Sequence, residues 1–187
     1  AEWNAQGETV KPETMPLTRF ASTARDRVAS QREAVIDEIA GYGASDLLCY
    51  RAEHPQALVQ RQAETWQPVL DWAARRFDAP LAVTSGVLPV AQEPQSLAAL
   101  RAAVAEYDAF ALAALQAATS ASGSLILALA LATGHLDAAA VAAASQVDET
   151  FQAEKWGQDA EAEERLAGLR AQLSDAERFL ALLVSRA

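Results

Sequence analysis

The sequence predicts a mainly α fold, an array of six to eight helices with at most one short extended segment, and two observations carry that expectation. Alanine supplies much of a chain that is 51% hydrophobic, and alanine favours helix more strongly than any other residue. Apolar residues also recur at three- and four-residue steps over most of the 187 positions, which lines one face of a helix. Only the stretch from Leu81 to Thr84, before Ser85-Gly86, reads as extended. Residues 1–16 form an extended N-terminal segment, and residues 17–187 form one helical domain.

Taken in order, Gly7, Pro12 and Pro16 make the first segment irregular, because proline drives the preceding residue out of the helical region. Leu17, Phe20, Ala24, Val28, Val35 and Ile39 then predict one long helix ended by Gly41-Tyr42-Gly43. Asp46 to Arg51 reads as a short helix opened by Ser45 or Asp46. Pro55 suits the first turn of a helix whose stripe is Leu58, Gln62, Trp66, Val69, Ala73 and Phe77, and Pro68 should kink or divide it. Pro89, Glu93 and Pro94 mark a linker. From Ser96 a helix runs through Leu100, Val104, Tyr107 and Leu115 to the Ser/Gly cluster at 120–124. A buried helix from Leu125 to Thr133 ends at Gly134. Asp137 caps the helix that carries Val147 to Gly157, a charged helix covers Asp159 to Leu173, and Ser174-Asp175-Ala176-Glu177 has the form of a capping box for a last helix.

A net charge of −10 argues against a nucleic-acid partner, which needs a basic face to displace counterions. The longest apolar run, Leu125 to Ala132, falls well short of the roughly 20 residues that span a bilayer, so no stable membrane insertion is expected. A single cysteine, Cys49, excludes an intramolecular disulfide and reads as a small buried hydrophobe. His54 and His135 lack the spacing of an imidazole metal site. No phosphate loop, dinucleotide fingerprint or nucleophile elbow occurs. No enzyme activity, cofactor or metal is expected. With no heptad seam in an acidic chain, the free protein is expected to be monomeric.

The segment Val147-Asp148-Glu149-Thr150-Phe151-Gln152-Ala153-Glu154-Lys155-Trp156-Gly157 is the place to look for function. Wound as a helix, it puts Val147 and Phe151 on one face and Asp148, Glu149, Gln152 and Trp156 on the other. Carboxylates beside an indole suit either a solvated acidic face or a protein-recognition patch for a basic partner. Acid/base or metal chemistry is the alternative, and it would need further oxygens converging on one point. Asp46 is equally a helix cap or a functional acid. Trp66 belongs to the core stripe, while Trp72 lies off it.

Several motifs follow one another in a familiar order: Glu2-Trp3, then Pro12-Glu13-Thr14-Met15-Pro16-Leu17-Thr18, Asp46-Leu47-Leu48-Cys49-Tyr50-Arg51-Ala52, Trp66-Gln67-Pro68, Gly123-Ser124, and Glu149-Thr150-Phe151-Gln152 with Lys155-Trp156-Gly157. This order resembles the F-type ATP synthase assembly chaperones that act on the alpha subunit. Members carry a β-rich region ahead of the Glu-Trp motif, so the resemblance implies that this chain corresponds to the helical C-terminal part. It further implies a partner, the unassembled alpha subunit, kept from aggregating until the beta subunit replaces the chaperone. The implied partner-binding residues are Asp148, Glu149, Gln152 and Trp156, with Asp46, Tyr50 and Arg51 as a second patch. A bacterial cytoplasm is the expected location, with the mitochondrial matrix as the alternative. The rival readings are a structural helical domain whose binding surface lies elsewhere and a carboxylate-dependent metal enzyme.

Overall fold

Leu125 to Leu131 are all buried, and the other helices are arranged around them. The computed structural model describes residues 2–86, 88–157 and 160–185. Among these, nine α-helices occur: α1 Pro16–Thr23, α2 Arg32–Gly41, α3 Gln56–Phe77, α4 Pro94–Ala105, α5 Ala109–Ser122, α6 Leu125–Ala132, α7 Ala138–Ser145, α8 Val147–Trp156 and α9 Ala160–Val184. Two short strands, β1 Tyr50–Arg51 and β2 Thr84–Ser85, pair in parallel with Tyr50 opposite Thr84 and Arg51 opposite Ser85. The mainly α class therefore holds; β2 meets the expected extended segment only at Thr84, and β1 takes the last two residues of the stretch expected to be a short helix.

The central helix α6 is apolar on every face, so it is stable only when enclosed. It contacts α3, α5, α7 and α9, while α5 also reaches α1, α2 and α9. Each Leu or Ile side chain taken out of water here contributes roughly 1.5–3 kcal/mol. Ser124 caps α6, its hydroxyl accepting from the Leu127 amide at 3.0 Å. Gly123, at φ 69°, closes α5 in the left-handed region that favours glycine. Its carbonyl accepts from the Leu47 amide at 3.2 Å.

Asp46 joins the loop before β1 to this helix. The residue is fully buried. Its Oδ1 accepts from the Leu48 amide at 3.1 Å and from the Ser124 hydroxyl at 2.7 Å, and its Oδ2 accepts from the Ile126 amide at 3.1 Å. It thus caps the 3-10 turn Leu47–Cys49 and reinforces the N-terminus of α6 together. Burial pushes its carboxyl up to about 6, while the bonds from Ser124, Ile126 and Leu48 pull in the other direction. Burial, with the Asp46 charge as the second cause, pushes the neighbouring Cys49 thiol up to about 12, as suits a packed hydrophobe and not a nucleophile.

Several boundaries differ from the sequence expectation, each for a local reason. The first long helix is two: Ala24–Val28 forms a π turn and Gln31, at φ −126° and ψ 31°, leaves the helical region before α2. The Ser30 hydroxyl donates to the Arg27 carbonyl at 3.0 Å, a local bond that competes with helix continuation. Arg32 then donates to the Ala105 and Tyr107 carbonyls at 2.6 and 3.0 Å, satisfying groups that the end of α4 leaves free. The helix expected from Ser96 onwards breaks between α4 and α5, because Asp108 accepts from the Ala111 amide and caps a new start. Pro68 does not divide α3. It lies on the exposed side, as does Glu64 one turn earlier, so water can reach the carbonyl deprived of its donor.

Asp137 caps α7, and α8 is a separate helix after Gln146. At the C-terminal end, α9 runs without interruption through Ser174, so the expected capping box opens nothing. Leu166, Leu173, Ala176, Phe179 and Leu180 form one continuous buried stripe, and Glu177 accepts instead from the amide of Ala138, at the start of α7, at 3.1 Å. The expected start of the charged helix at Asp159 lies outside the described residues. At the N-terminal end, short 3-10 turns occupy Trp3–Ala5 and Pro12–Thr14. Glu2 caps α1 from a distance, accepting from the Leu17 and Thr18 amides at 3.0 and 2.8 Å and from the Thr18 hydroxyl at 2.7 Å.

A carboxyl whose pKa is higher in the fold than in the unfolded chain binds its proton more tightly when folded. Asp46 should therefore lower stability as pH rises from its ordinary 3.8 towards about 6, by about 3 kcal/mol in total. In denaturant titrations at successive pH values, the difference between the wild type and Asp46→Asn should change by about this amount between about pH 3 and 7 and be flat above.

Candidate functional site

Helix α8 lies along α3, and successive contacts run in opposite chain directions. Trp66 Nε1 donates to the Ala144 carbonyl at 2.7 Å, at the end of α7. One turn earlier on α3, Gln62 Nε2 donates to Asp148 Oδ1 at 2.6 Å. Beside it Arg61 makes a two-pronged ion pair with Glu154, Nη1 to Oε1 at 2.9 Å and Nη2 to Oε2 at 2.8 Å. The Arg61 guanidinium also sits over the Phe151 ring, 5.2 Å from its centroid. The hydrogen bond from Arg61 holds the Glu154 carboxyl below the usual carboxylate range, and the same bond raises the Arg61 pKa.

These contacts fix which way α8 faces. Val147 and Phe151 are buried, as their common helical face requires. Asp148 is half-buried against Gln62, whereas Glu149 and Gln152 are exposed and have no hydrogen-bond or ion-pair partner among the described residues. Trp156 is 80% exposed, more than any other large hydrophobic side chain among the described residues. Gly157 follows at φ 87° and ψ 162°, its amide donating to the Ala153 carbonyl at 2.9 Å. Glycine is suited to that conformation, which ends the helix just beyond the indole. The four sequence-predicted residues thus share one side of α8, but they divide into Asp148, held from within, and Glu149, Gln152 and Trp156, open to solvent.

The second patch is arranged differently. Asp46 has no exposed surface, and its oxygens serve the core as described above. Arg51 is 9% exposed, donates from Nε to the Leu48 carbonyl at 2.9 Å, and stacks over the Trp66 ring at 5.2 Å. Tyr50 is half-buried on β1. Arg51 and Trp66 face each other, so the Asp46–Ala52 motif reaches α8 through α3 and not across the surface.

Two residues that matter for this geometry, Arg61 and Gln62, were absent from the sequence-predicted site. Gln62 carried a signal, since it lies on an otherwise apolar stripe, and a polar side chain there needs buried partners. Arg61 carried none, because its acidic partner is 93 residues away.

The remaining chemistry is sparse. Among the described residues no group of three or more His, Cys, Asp or Glu side chains could hold a metal ion. Asp148 is directed at Gln62, so Asp148, Glu149 and Gln152 do not present a convergent oxygen cage. His135 stacks on Trp72, with centroids 4.3 Å apart and planes 3° from parallel, and His54 is exposed.

The ATP12 chaperone protein family matches residues 1–74. Among solved structures, Atp12 from Paracoccus denitrificans is 50% identical, with a TM-score of 0.94 over 97% of this chain and 78% of that one. A mutant of P. denitrificans Atp12p gives 49% identity and the same TM-score over 97% and 77%. The Atu1473 protein of Agrobacterium tumefaciens is 43% identical, with a TM-score of 0.91 over 97% and 68%.

The bond from Trp66 to Ala144 predicts that Trp66→Phe, which keeps an aromatic ring but leaves a buried carbonyl without its donor, will cost about 1–3 kcal/mol in a urea titration. An unchanged midpoint would show that this bond does not hold the junction of α7 and α8.

Proposed function

The chain belongs to the ATP12 chaperone family, the assembly chaperones of the F1 alpha subunit, and we propose that it holds the unassembled alpha subunit through the exposed face of α8 until the beta subunit takes its place. The family is not enzymatic, so the site has to supply complementary surface and not turnover. Trp156 carries this reading: it is a large indole left 80% exposed on a well-anchored helix, with Glu149 and Gln152 on the same side. An aromatic anchor beside acidic and amide groups suits an arginine-bearing or otherwise basic surface, with the indole contributing buried area and a cation–π face.

Asp148 belongs to the same site from its inner edge, and Tyr50 and Arg51 support it from behind α3. The free protein is monomeric, as an acidic chain without a heptad seam suggests, and it works in a bacterial cytoplasm, in keeping with the bacterial sources of the matching structures. Among the described residues no helix is long and apolar enough to cross a membrane.

Glu149→Lys should weaken capture of purified alpha subunit by roughly tenfold or more, about 1.4 kcal/mol. Trp156→Ala should cost about 2 kcal/mol of binding. The circular-dichroism melts of both variants should match the wild type, because neither side chain has a hydrogen-bond or ion-pair partner among the described residues. Undiminished capture by both variants would remove α8 from the interface.

A further inference from the structure

We infer that Gln62, which no partner can touch, is the positioning residue that sets α8 for alpha-subunit capture by tying it to the Tyr50–Ala52 segment. The inference rests on the proposed function, because it concerns the same face. Gln62 is 1% exposed, and both ends of its amide are used. Its Oε1 accepts from the Ala52 amide at 2.7 Å, and its Nε2 donates to Asp148 Oδ1 at 2.6 Å.

A single amide group therefore bridges the residue just after β1 and the first turn of α8, two segments about 96 positions apart in the chain. Neither bond is needed to fill the core. An apolar side chain of similar volume would satisfy the stripe of Leu58, Trp66, Val69 and Ala73 equally well, so the amide is explained by what it connects. Buried polar bridges of this kind select one arrangement among similar packings. Here the selected property is the rotation of α8, which directs Val147 and Phe151 inward and Glu149, Gln152 and Trp156 outward. One turn away on α3, Trp66 holds the Ala144 carbonyl and fixes the approach to α8, while Gln62 fixes its first turn.

The polarity of the bridge provides the test. In Gln62→Glu the donor to Asp148 is lost and two carboxylates meet, while the acceptor for the Ala52 amide remains. In the double variant Gln62→Glu with Asp148→Asn, the asparagine amide donates to the new carboxylate, so the same bridge reforms with its donor and acceptor exchanged. Capture of purified alpha subunit by the full chain should fall roughly tenfold in Gln62→Glu and return to within about threefold of Asp148→Asn alone in the double variant.

Amide hydrogen exchange on the free proteins should follow the same pattern, faster across residues 147–156 in Gln62→Glu and restored in the exchanged pair, with α6 unchanged in both. Gln62→Leu, which breaks both bonds without burying a charge, should also weaken capture and covers the case in which Gln62→Glu does not fold. Full capture by Gln62→Leu, or loss in Gln62→Glu that the exchanged pair leaves unrepaired, would overturn the inference. If the wild type itself captures no alpha subunit, the functional reading fails, while the exchange measurement still decides whether Gln62 positions α8.

Discussion

The buried carboxylate of Asp46 is the constraint on which the rest of the structure depends. The helix it serves, α6, is apolar on every side and has no solvent face to orient it, so its place is set by what grips its end. Asp46 accepts from the Ser124 hydroxyl and the Ile126 amide there, and from the Leu48 amide in its own turn. Three donors on a carboxylate with no exposed surface make a site that tolerates no displacement. Those bonds only partly offset the desolvation that opposes the charged form, so the carboxyl stays above its ordinary range.

From that point a chain of polar contacts leads outward. The turn that Asp46 caps delivers Arg51 over the Trp66 ring and Ala52 to the Gln62 amide. Trp66 and Gln62, one turn apart on α3, hold the end of α7 and the beginning of α8. Arg61 completes the attachment at Glu154 and Phe151. The surface proposed to meet the alpha subunit is therefore not a loop shaped by its partner. It is a helix set in place by groups that trace back to the centre of the core, which reduces the ordering cost of association.

This architecture also explains how much of the fold and the site the sequence disclosed. Alanine content and periodicity identified the helical class, an unbroken apolar run identified the enclosed helix at Leu125, and three- and four-residue spacing identified the packed and polar faces of α8, because each is local in the chain. Breaks at Gln31 and Gln146 and before Asp108 were missed: the bonds at Ser30 and Asp108 are local and compete with helix continuation without declaring which prevails, and the hold of Arg32 on the end of α4 is tertiary. The capping-box pattern at Ser174 to Glu177 was misleading for a tertiary reason: Glu177 caps α7 instead of its own helix. Gln62 was legible as an anomaly but not as a bridge. The exposure of Trp156 depends on how α8 is rotated, and that rotation is fixed by residues more than 80 positions upstream.

Site-specific photo-crosslinking would test most directly whether the exposed side of α8 is where the alpha subunit is held. A photoreactive residue in place of Gln152, between Glu149 and Trp156, should crosslink efficiently to added alpha subunit and lose that product when beta subunit is supplied. The same residue in place of Glu38 on α2 should give little. Crosslinking from position 38 with none from position 152 would contradict the account and move the binding surface away from α8.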